Sequence, residues 1–290
     1  MRLGYSTNSI GDVAPLDALP ILADHGYESL AITPDRHVLD PFSPGLAAEA
    51  ARWRPALAKH GMNCVIETGA RHLLDPLLKH EPTLVSPHRV DRERRVEFLV
   101  RAVDLASEMA APVVSLWSGA ARDAADEETL WQRLTAGLEP VLARAAARGV
   151  VLGFEPEPGM FIDTLARQAM LHERLGRPQH LGLTVDLGHL ECMGERPAAD
   201  LLAARAADVV NVHVDDMLAC RHEHLPLGTG DVEFPPLFAV LAAGGYSGGL
   251  HIELPRQSHR WLETARVSAA LFRGYFTREG RLQPEMPSSA

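Results

Sequence analysis

The chain alternates between short apolar runs and longer segments whose apolar residues recur at helical spacing. Eight runs have the length and β-branched content of buried strands, and Gly, Pro or charged residues bound them. They recur about every 30 residues, the length of one strand–helix unit. In chain order they are LGYSTNSI, ESLAITPD, NCVIETG, PVVSLWSG, VLGFEPE, LGLTVDLGH, VVNVHVDD and GGLHIELP.

Eight helical segments alternate with these strands, and glycines such as Gly26 and Gly61 mark helix ends. Strict alternation predicts a right-handed parallel sheet, and eight units close into a (β/α)8 barrel. Such a barrel takes about 250 residues, so the 290 residues suit one domain. We expect this α/β domain to span residues 1–282, with a disordered Pro- and Ser-rich tail over 283–290.

The composition of the chain limits the kinds of molecule that this barrel is expected to bind. A net charge of -10 argues against nucleic acid, which needs a basic face. No apolar run reaches the roughly 18 residues of a membrane span. Three cysteines without CxxC spacing and no secretory signal predict a cytoplasmic protein. The expected partner is a small-molecule substrate, and a homodimer stays open.

Four strands in the second half of the chain carry a metal-type ligand at or near their C-terminal ends. Barrels of this kind place their chemistry at those ends. Four such residues in four successive units are unusual, because charged residues are rarely buried without a partner. The sequence therefore predicts a divalent-metal site formed by Glu155, Asp186, His213 and Glu253.

The ligand types indicate the ion and a reaction. Carboxylates with one imidazole and no thiolate favour Mn²⁺ or Mg²⁺, although Zn²⁺ and Co²⁺ also suit them. Such an ion can bind adjacent oxygens of a sugar-like substrate and acidify a C–H beside its carbonyl. Glu155 and Glu253 come from strands three steps apart, so they can flank the substrate as an acid/base pair.

Other residues at strand ends are candidate substrate contacts. Glu67 ends the third strand and can bind substrate or pair with Arg71, and Trp117 after the fourth strand can form a site wall or simply pack. The long loop over residues 70–88 suggests a lid or substrate loop. The segment RHEHLPLGTG is expected as a polar loop at the pocket mouth, with a substrate role for at least one of Arg221, His222 and His224.

Five segments in order, FEPEPG, TVDLGH, NVHVDD, HLPLGTGDVEF and HIEL, resemble the sugar phosphate isomerase/epimerase superfamily, which has a xylose-isomerase-like TIM barrel. The resemblance spans nearly the whole chain. In its ketose 3-epimerases, the residues matching Glu155, Asp186, His213 and Glu253 hold the metal, and the two glutamates act as acid and base. The resemblance implies a metal-dependent isomerase or epimerase, in which His189 contacts a substrate oxygen.

The same superfamily leaves alternatives open. Its apurinic endonucleases bind a third zinc through a residue matching His189 and an Asp-Arg-His segment, where this chain has Cys220, Arg221 and His222. A metal-dependent phosphoester hydrolase is therefore the alternative, with a second ion at His189, His222 or His224. A dehydratase acting on an inositol-like ketone would share the same enolate. A third possibility is a non-catalytic barrel that binds a metabolite. The two opposed carboxylates argue against it, because binding alone does not require them.

Overall fold

A computed structural model describes residues 1–276 and Gln283. The strands in this part of the chain are β1 Arg2–Ser6, β2 Ser29–Ile32, β3 Asn63–Glu67, β4 Val113–Leu116, β5 Val151–Phe154, β6 Leu181–Asp186, β7 Val209–Val214, β8 Asp216–Leu218, β9 Arg221–Leu225 and β10 Gly249–Ile252. The helices are α1 Pro15–Asp24, α2 Leu46–Lys59, α3 Arg89–Met109, α4 Glu127–Arg148, α5 Leu165–Arg174, α6 Leu187–Cys192, α7 Ala198–Ala203, α8 Phe234–Ala243 and α9 Trp261–Tyr275. Short 3₁₀ helices cover Thr7–Ser9, Ala206–Asp208 and Pro255–Arg260.

Eight of these strands form a closed barrel in the order β1-β10-β7-β6-β5-β4-β3-β2. Neighbouring strands of the barrel pair in parallel, for example β1 with β10 and β4 with β5. The predicted (β/α)8 fold is therefore confirmed, and all eight predicted strands are present. The predicted tail over residues 283–290 lies outside the described residues except for Gln283, and the single-domain assignment stays a prediction.

Residues 1–31, 56–63 and the described residues from 185 onwards make one compact unit. Within it, β10 pairs with β1 and β7, so that His251 lies opposite His213. Its core includes Tyr5 and Tyr27, whose rings meet edge to face at 5.3 Å. Because the Tyr27 hydroxyl donates to the Ala265 carbonyl at 2.9 Å, α9 is fixed to this core.

Residues 32–55 and 64–184 make the second compact unit. The helices α3 and α4 are joined there by Asp104, which accepts from both Arg144 and Arg148. The side chain of Asp126 caps the start of α4 by accepting from the Thr129 N–H at 2.7 Å. Its end is set by Gly149, which adopts a φ of 66°.

Two local predictions need correction. The segment RHEHL, expected as part of a loop, forms β9 and pairs with β8 in an antiparallel hairpin. The run LGLTVDLGH was expected to be one strand, but β6 ends at Asp186 and His189 lies on the short helix α6. Among the described residues, no helix combines the length and hydropathy that crossing a membrane requires.

Candidate functional site

Asp186 lies where β6 ends and α6 begins. Its Oδ1 accepts from the backbone N–H groups of Gly188 at 2.8 Å and His189 at 3.1 Å, so the carboxylate is the N-cap of α6. A Cβ at Gly188 would lie 1.9 Å from Asp215 Oδ1, which explains why the TVDLGH segment needs glycine there. The cap turns His189 back towards Asp186, with 3.8 Å between His189 Nε2 and Asp186 Oδ2.

His213 and Glu253 face each other at the ends of β7 and β10. Both are largely buried, and His213 Nδ1 lies 3.0 Å from Glu253 Oε2. The other carboxylate oxygen, Glu253 Oε1, accepts from Asn8 Nδ2 at 2.5 Å. Burial alone would raise the pKa of Glu253, but the charge and hydrogen bond of His213 bring it well below its usual range. Glu253 is therefore a carboxylate that is held on both oxygens.

The other oxygen of Asp186 has a different environment. Asp186 Oδ2 is buried and accepts no hydrogen bond from an N–H group of the described residues, but the Asp186 carboxylate shares a side-chain hydrogen bond with Asp215. Burial raises the pKa of Asp186, yet the nearby imidazoles of His189, His224 and His213 outweigh burial and lower it. Burial, followed by the charges of Asp186 and Glu253, raises the pKa of the adjacent Asp215 well above its usual value.

The hairpin β8–β9 brings two histidines against α6. The histidine cluster, which we define as His189, His222 and His224, has ring centroids 4.8–5.8 Å apart. His189 Nε2 and His222 Nε2 are 3.1 Å apart, and His224 Nδ1 makes a short contact with Asp215 Oδ2. Burial lowers the pKa of His222 to about 3 and that of His189 to about 4, so both rings are neutral at pH 7.

Charged residues on and beside the hairpin differ in what they contact. Asp216 accepts from the N–H groups of Gly228 at 2.8 Å and Val232 at 3.1 Å, which fixes the loop after β9. Arg221 is exposed at the start of β9. Arg256 donates to the His222 carbonyl at 3.0 Å and so holds the hairpin in place. The sequence did not indicate this role for Arg256.

Glu155 and Glu67 occupy strand ends in the second compact unit. Glu155 directly follows β5, is 4% exposed, and donates its backbone N–H to the Leu116 carbonyl at 2.8 Å. Phe154 before it pairs with Leu183 of β6, three residues ahead of Asp186 on that strand. Glu67 is the last residue of β3 and is buried. Each glutamate thus has the strand-end position expected from the sequence.

Trp117 follows β4 and is buried under a cation that the sequence reasoning missed. The Arg95 guanidinium lies 4.2 Å from its ring centroid, and the His80 ring lies 5.3 Å away. Arg95 is buried, which lowers its pKa to about 9, and it donates to the Thr68 carbonyl. Since Arg95 comes three residues before buried Phe98 on α3, helical spacing could have indicated it. His80 brings the loop over residues 70–88 against this tryptophan.

Three further polar residues of the site escaped prediction: Asn8, Asn211 and His251. Asn211 and His251 are fully buried on β7 and β10, two residues before His213 and Glu253 respectively. The period of two along a strand places each on the same face as its neighbour. That spacing, NVH and HIE, was the available signal.

The donor set fits a divalent cation. Asp186, His213 and Glu253 offer two carboxylates and one imidazole, which are the ligand types of Mg²⁺, Mn²⁺, Co²⁺ and Zn²⁺. Their ligand atoms lie within 4.8 Å of one another, and Asp186 Oδ2 is buried beside the Asp215 carboxyl group. A cation would satisfy that oxygen and the facing His213 and Glu253 atoms together.

Comparison with known proteins agrees with this architecture. A family model described as xylose isomerase-like TIM barrel matches residues 19–275. An L-ribulose-5-phosphate 3-epimerase, UlaE, of Shigella flexneri serotype 5b is 28% identical over 189 residues. The aligned region covers 64% of this chain and 63% of that relative, so the chain spans less than two thirds of its length.

Solved structures show the same fold at low sequence identity. A D-allulose 3-epimerase from Methylomonas sp. has a TM-score of 0.75 at 17% identity, over 94% of this chain and 97% of that chain. The IOLI protein, solved with a zinc atom, has a TM-score of 0.74 at 14% identity, over 93% of this chain and 97% of that chain. These structures establish a common architecture.

Proposed function

Because the chain belongs to the xylose isomerase-like TIM barrel family, we propose that it is a metal-dependent epimerase or isomerase of a small sugar-like or polyol-derived ketone. The observation that carries the proposal is the buried group of Asp186, His213 and Glu253, which brings two carboxylates and one imidazole within 4.8 Å of one another. The epimerase activity of UlaE supports the reaction class.

The proposed ligands are Glu155, Asp186, His213 and Glu253. Within one compact unit, Asp186, His213 and Glu253 offer ligand atoms that lie within 4.8 Å of one another. The high proportion of carboxylates among the proposed ligands favours Mn²⁺ or Mg²⁺. The zinc atom in the IOLI structure makes Zn²⁺ a further candidate, and Co²⁺ is another because it accepts the same ligand types. One ion is enough for the proposed reaction.

When bound, the ion supplies Lewis-acid polarisation of the substrate carbonyl, which acidifies the neighbouring C–H. Glu253 is the proposed base for that proton. Its oxygens are oriented by Asn8 and His213, and its lowered pKa keeps it ionised at neutral pH. Glu155 returns a proton to the opposite face, which inverts the carbon.

Substrate hydroxyls are proposed to contact the histidine cluster of His189, His222 and His224, together with Arg221. The neutral imidazoles of His189 and His222 can both donate and accept hydrogen bonds, which suits hydroxyl groups. Glu67 is proposed as a further hydroxyl partner, and Trp117 as an apolar wall kept in place by Arg95. We also propose that the protein binds neither nucleic acid nor membranes, and that it acts as a monomer or homodimer in the cytoplasm.

Solvent exchange tests this function. Protein loaded with Mn²⁺ is incubated in D₂O with ketoses, ketose 5-phosphates and inositol-like ketones, and products are analysed by NMR. We expect deuterium at the carbon beside the carbonyl of at least one ketose, together with its epimer. Loss of water from an inositol-like ketone would instead identify a dehydratase. No exchange with any substrate by metal-loaded protein would refute the epimerase proposal.

A phosphoester hydrolase of the apurinic-endonuclease type is the second candidate. The observation that favours it is the histidine cluster, in which each ring offers one nitrogen within 4.8 Å of the others, so that the three could hold a second ion. The net charge of -10 opposes binding of duplex DNA. Metal-dependent nicking of abasic duplex DNA by the purified protein would promote this candidate.

A further inference from the structure

Two cysteines meet where α6 packs against the hairpin β8–β9, within one compact unit. Cys192 is the last residue of α6 and is buried, whereas Cys220 is exposed in the turn of the hairpin. The Cys220 N–H donates to the Cys192 carbonyl at 3.0 Å, which satisfies one of the carbonyls at the end of α6. Such a bond keeps the two Cα atoms within about 7 Å of each other, a separation that a disulfide can span.

The face of α6 that carries Cys192 is turned towards the hairpin. Gly188 and His189 come four and three residues earlier, and residues at these spacings share one face of a helix. The His189 ring centroid lies 4.8 Å from that of His222 on β9, and a Cβ at Gly188 would lie 2.8 Å from Met217 Cγ on β8. The Cys192 side chain therefore projects from a face that the hairpin covers.

The turn of the hairpin leaves the Cys220 thiol accessible. Its side chain is exposed, and exposed side chains change rotamer rapidly, so the thiol can turn towards Cys192. Arg256 donates to the His222 carbonyl at 3.0 Å, two residues beyond Cys220, and so keeps the turn beside α6. An accessible cysteine next to a second, resolving cysteine is the usual arrangement at redox-sensitive sites.

We propose that Cys192 and Cys220 form a reversible disulfide that ties the hairpin β8–β9 to α6. The oxidant is a small disulfide such as glutathione disulfide. The Cys220 thiolate attacks one glutathione sulfur, expels one glutathione thiolate and forms a mixed disulfide. The Cys192 thiolate then attacks the Cys220 sulfur and expels the second glutathione. One disulfide is reduced for each one formed, and the two cysteine protons pass to the two glutathione molecules.

The disulfide acts on the histidine cluster through the two elements that it joins. His189 lies on α6, three residues before Cys192, and His222 lies two residues after Cys220. A covalent bond between the cysteines therefore fixes the spacing between these two rings, and oxidation holds the hairpin against α6. Disulfides inside cells are usually transient or redox-sensing, which suits a reversible bond at this place. The inference needs no bound ion and does not depend on the proposed reaction.

Peptide mapping tests whether the bond forms. Full-length protein is reduced with dithiothreitol, transferred into glutathione disulfide, and then denatured, alkylated with iodoacetamide and digested for mass spectrometry. We expect a peptide pair joined through Cys192 and Cys220 that disappears when dithiothreitol is added again. The variant Cys64→Ala should give the same pair, because the third cysteine takes no part. Glutathione that stays on Cys220, or a Cys220 disulfide between two protein molecules, in place of the internal bond would overturn the inference.

Stability and hydrogen exchange test whether the bond ties the hairpin to α6. A disulfide that closes a loop of about 30 residues restricts the unfolded chain, so the Tm of the oxidised wild type should exceed that of the reduced protein by roughly 5–10 °C. The difference should vanish in Cys220→Ser and persist in Cys64→Ala. Amides of residues 216–225 should exchange with D₂O more slowly in the oxidised protein. Equally fast exchange in both forms of the wild type would show that the hairpin is not restrained.

Discussion

At the scale of single residues, Asp186 has two roles in one carboxylate. Its Oδ1 caps α6 through two backbone N–H groups, which fixes the side-chain orientation. Its Oδ2 is buried and has no N–H donor among the described residues. A capping bond typically stabilises a helix by about 1 kcal/mol, so the cap also fixes the position of the second oxygen, the proposed ligand atom.

Replacing the proposed base should separate chemistry from metal binding. In Glu253→Gln, the amide oxygen can still bind the ion, but the group cannot accept a proton near neutral pH. We expect solvent exchange to fall by at least the roughly 10²–10⁴-fold typical of general acid/base groups. Glu155→Gln should lose a similar factor. Deuterium incorporation is measured beside the metal content of each variant.

The matched control is Glu173→Gln, which makes the same change at an exposed position of α5. It should leave the exchange rate unchanged. Full exchange by metal-bound Glu253→Gln would exclude the two-carboxylate mechanism. Loss of the metal in that variant would show that Glu253 acts chiefly as a ligand.

The cysteines should differ in reactivity. Burial raises the pKa of the Cys64 thiol to about 12, so at pH 8 it is almost entirely the unreactive thiol. Cys220 is exposed in the turn between β8 and β9. We expect iodoacetamide to modify Cys220 in folded protein and Cys64 only after denaturation, as read by peptide mass spectrometry. Equal modification of both before denaturation would contradict the burial of β3.

At the scale of elements, the hairpin β8–β9 assembles the site's polar mouth. It places His222 against His189 and His224 against Asp215. The loop that follows is held by Asp216, and the hairpin itself is held by Arg256. A segment that the sequence presents as polar is therefore ordered by polar contacts rather than by an apolar face.

The difference between apolar barrel strands and this polar hairpin explains which elements could be predicted from the sequence. The barrel strands were predictable because continuous apolar runs are typical of strands buried on both faces. Glu155, Asp186, His213 and Glu253 then follow from where those runs end. The segment RHEHL has no apolar alternation, and its pairing depends on contacts from α6 and Arg256 that are distant in sequence. Asn211 and His251 were missed because each looks like an ordinary residue of an apolar strand until the fold places the two side chains 3.0 Å apart.

The start of α6 should tolerate no side chain at Gly188. A methyl group there would lie 1.9 Å from Asp215 Oδ1 and 2.8 Å from Met217 Cγ, so Asp186 or the hairpin must move. We expect Gly188→Ala to lower the free energy of unfolding by about 1–3 kcal/mol, the usual cost of overpacking. Urea denaturation measures it.

The control for that substitution is Gly69→Ala, because nothing lies within 4 Å of the added Cβ at Gly69. Its free energy of unfolding should stay close to that of the wild type. A Gly188→Ala variant as stable as Gly69→Ala would show that α6 and β8 adjust freely, which is incompatible with a preformed Asp186 site.

At the scale of the whole molecule, the barrel collects ligands that are far apart in sequence. Asp186, His213 and Glu253 come from the ends of β6, β7 and β10, and the closed strand order makes each of these strands part of one ring. An ion on these residues would therefore link strands separated by helices α6 to α8. Because the unfolded chain cannot present the ligands together, ion binding should stabilise the folded state of the whole protein.

The thermal midpoint should therefore rise with metal. At a Mn²⁺ concentration 100 times the Kd, a ligand specific for the folded state contributes about 2.7 kcal/mol. At roughly 2–4 °C per kcal/mol for chains of this size class, the Tm of chelator-treated protein should rise by about 5–10 °C. The rise should vanish in Asp186→Ala and persist in Glu67→Gln, which removes charge from a strand end outside the proposed ligand set. If Asp186→Ala keeps the full rise, the ion binds elsewhere, and the histidine cluster becomes the principal candidate.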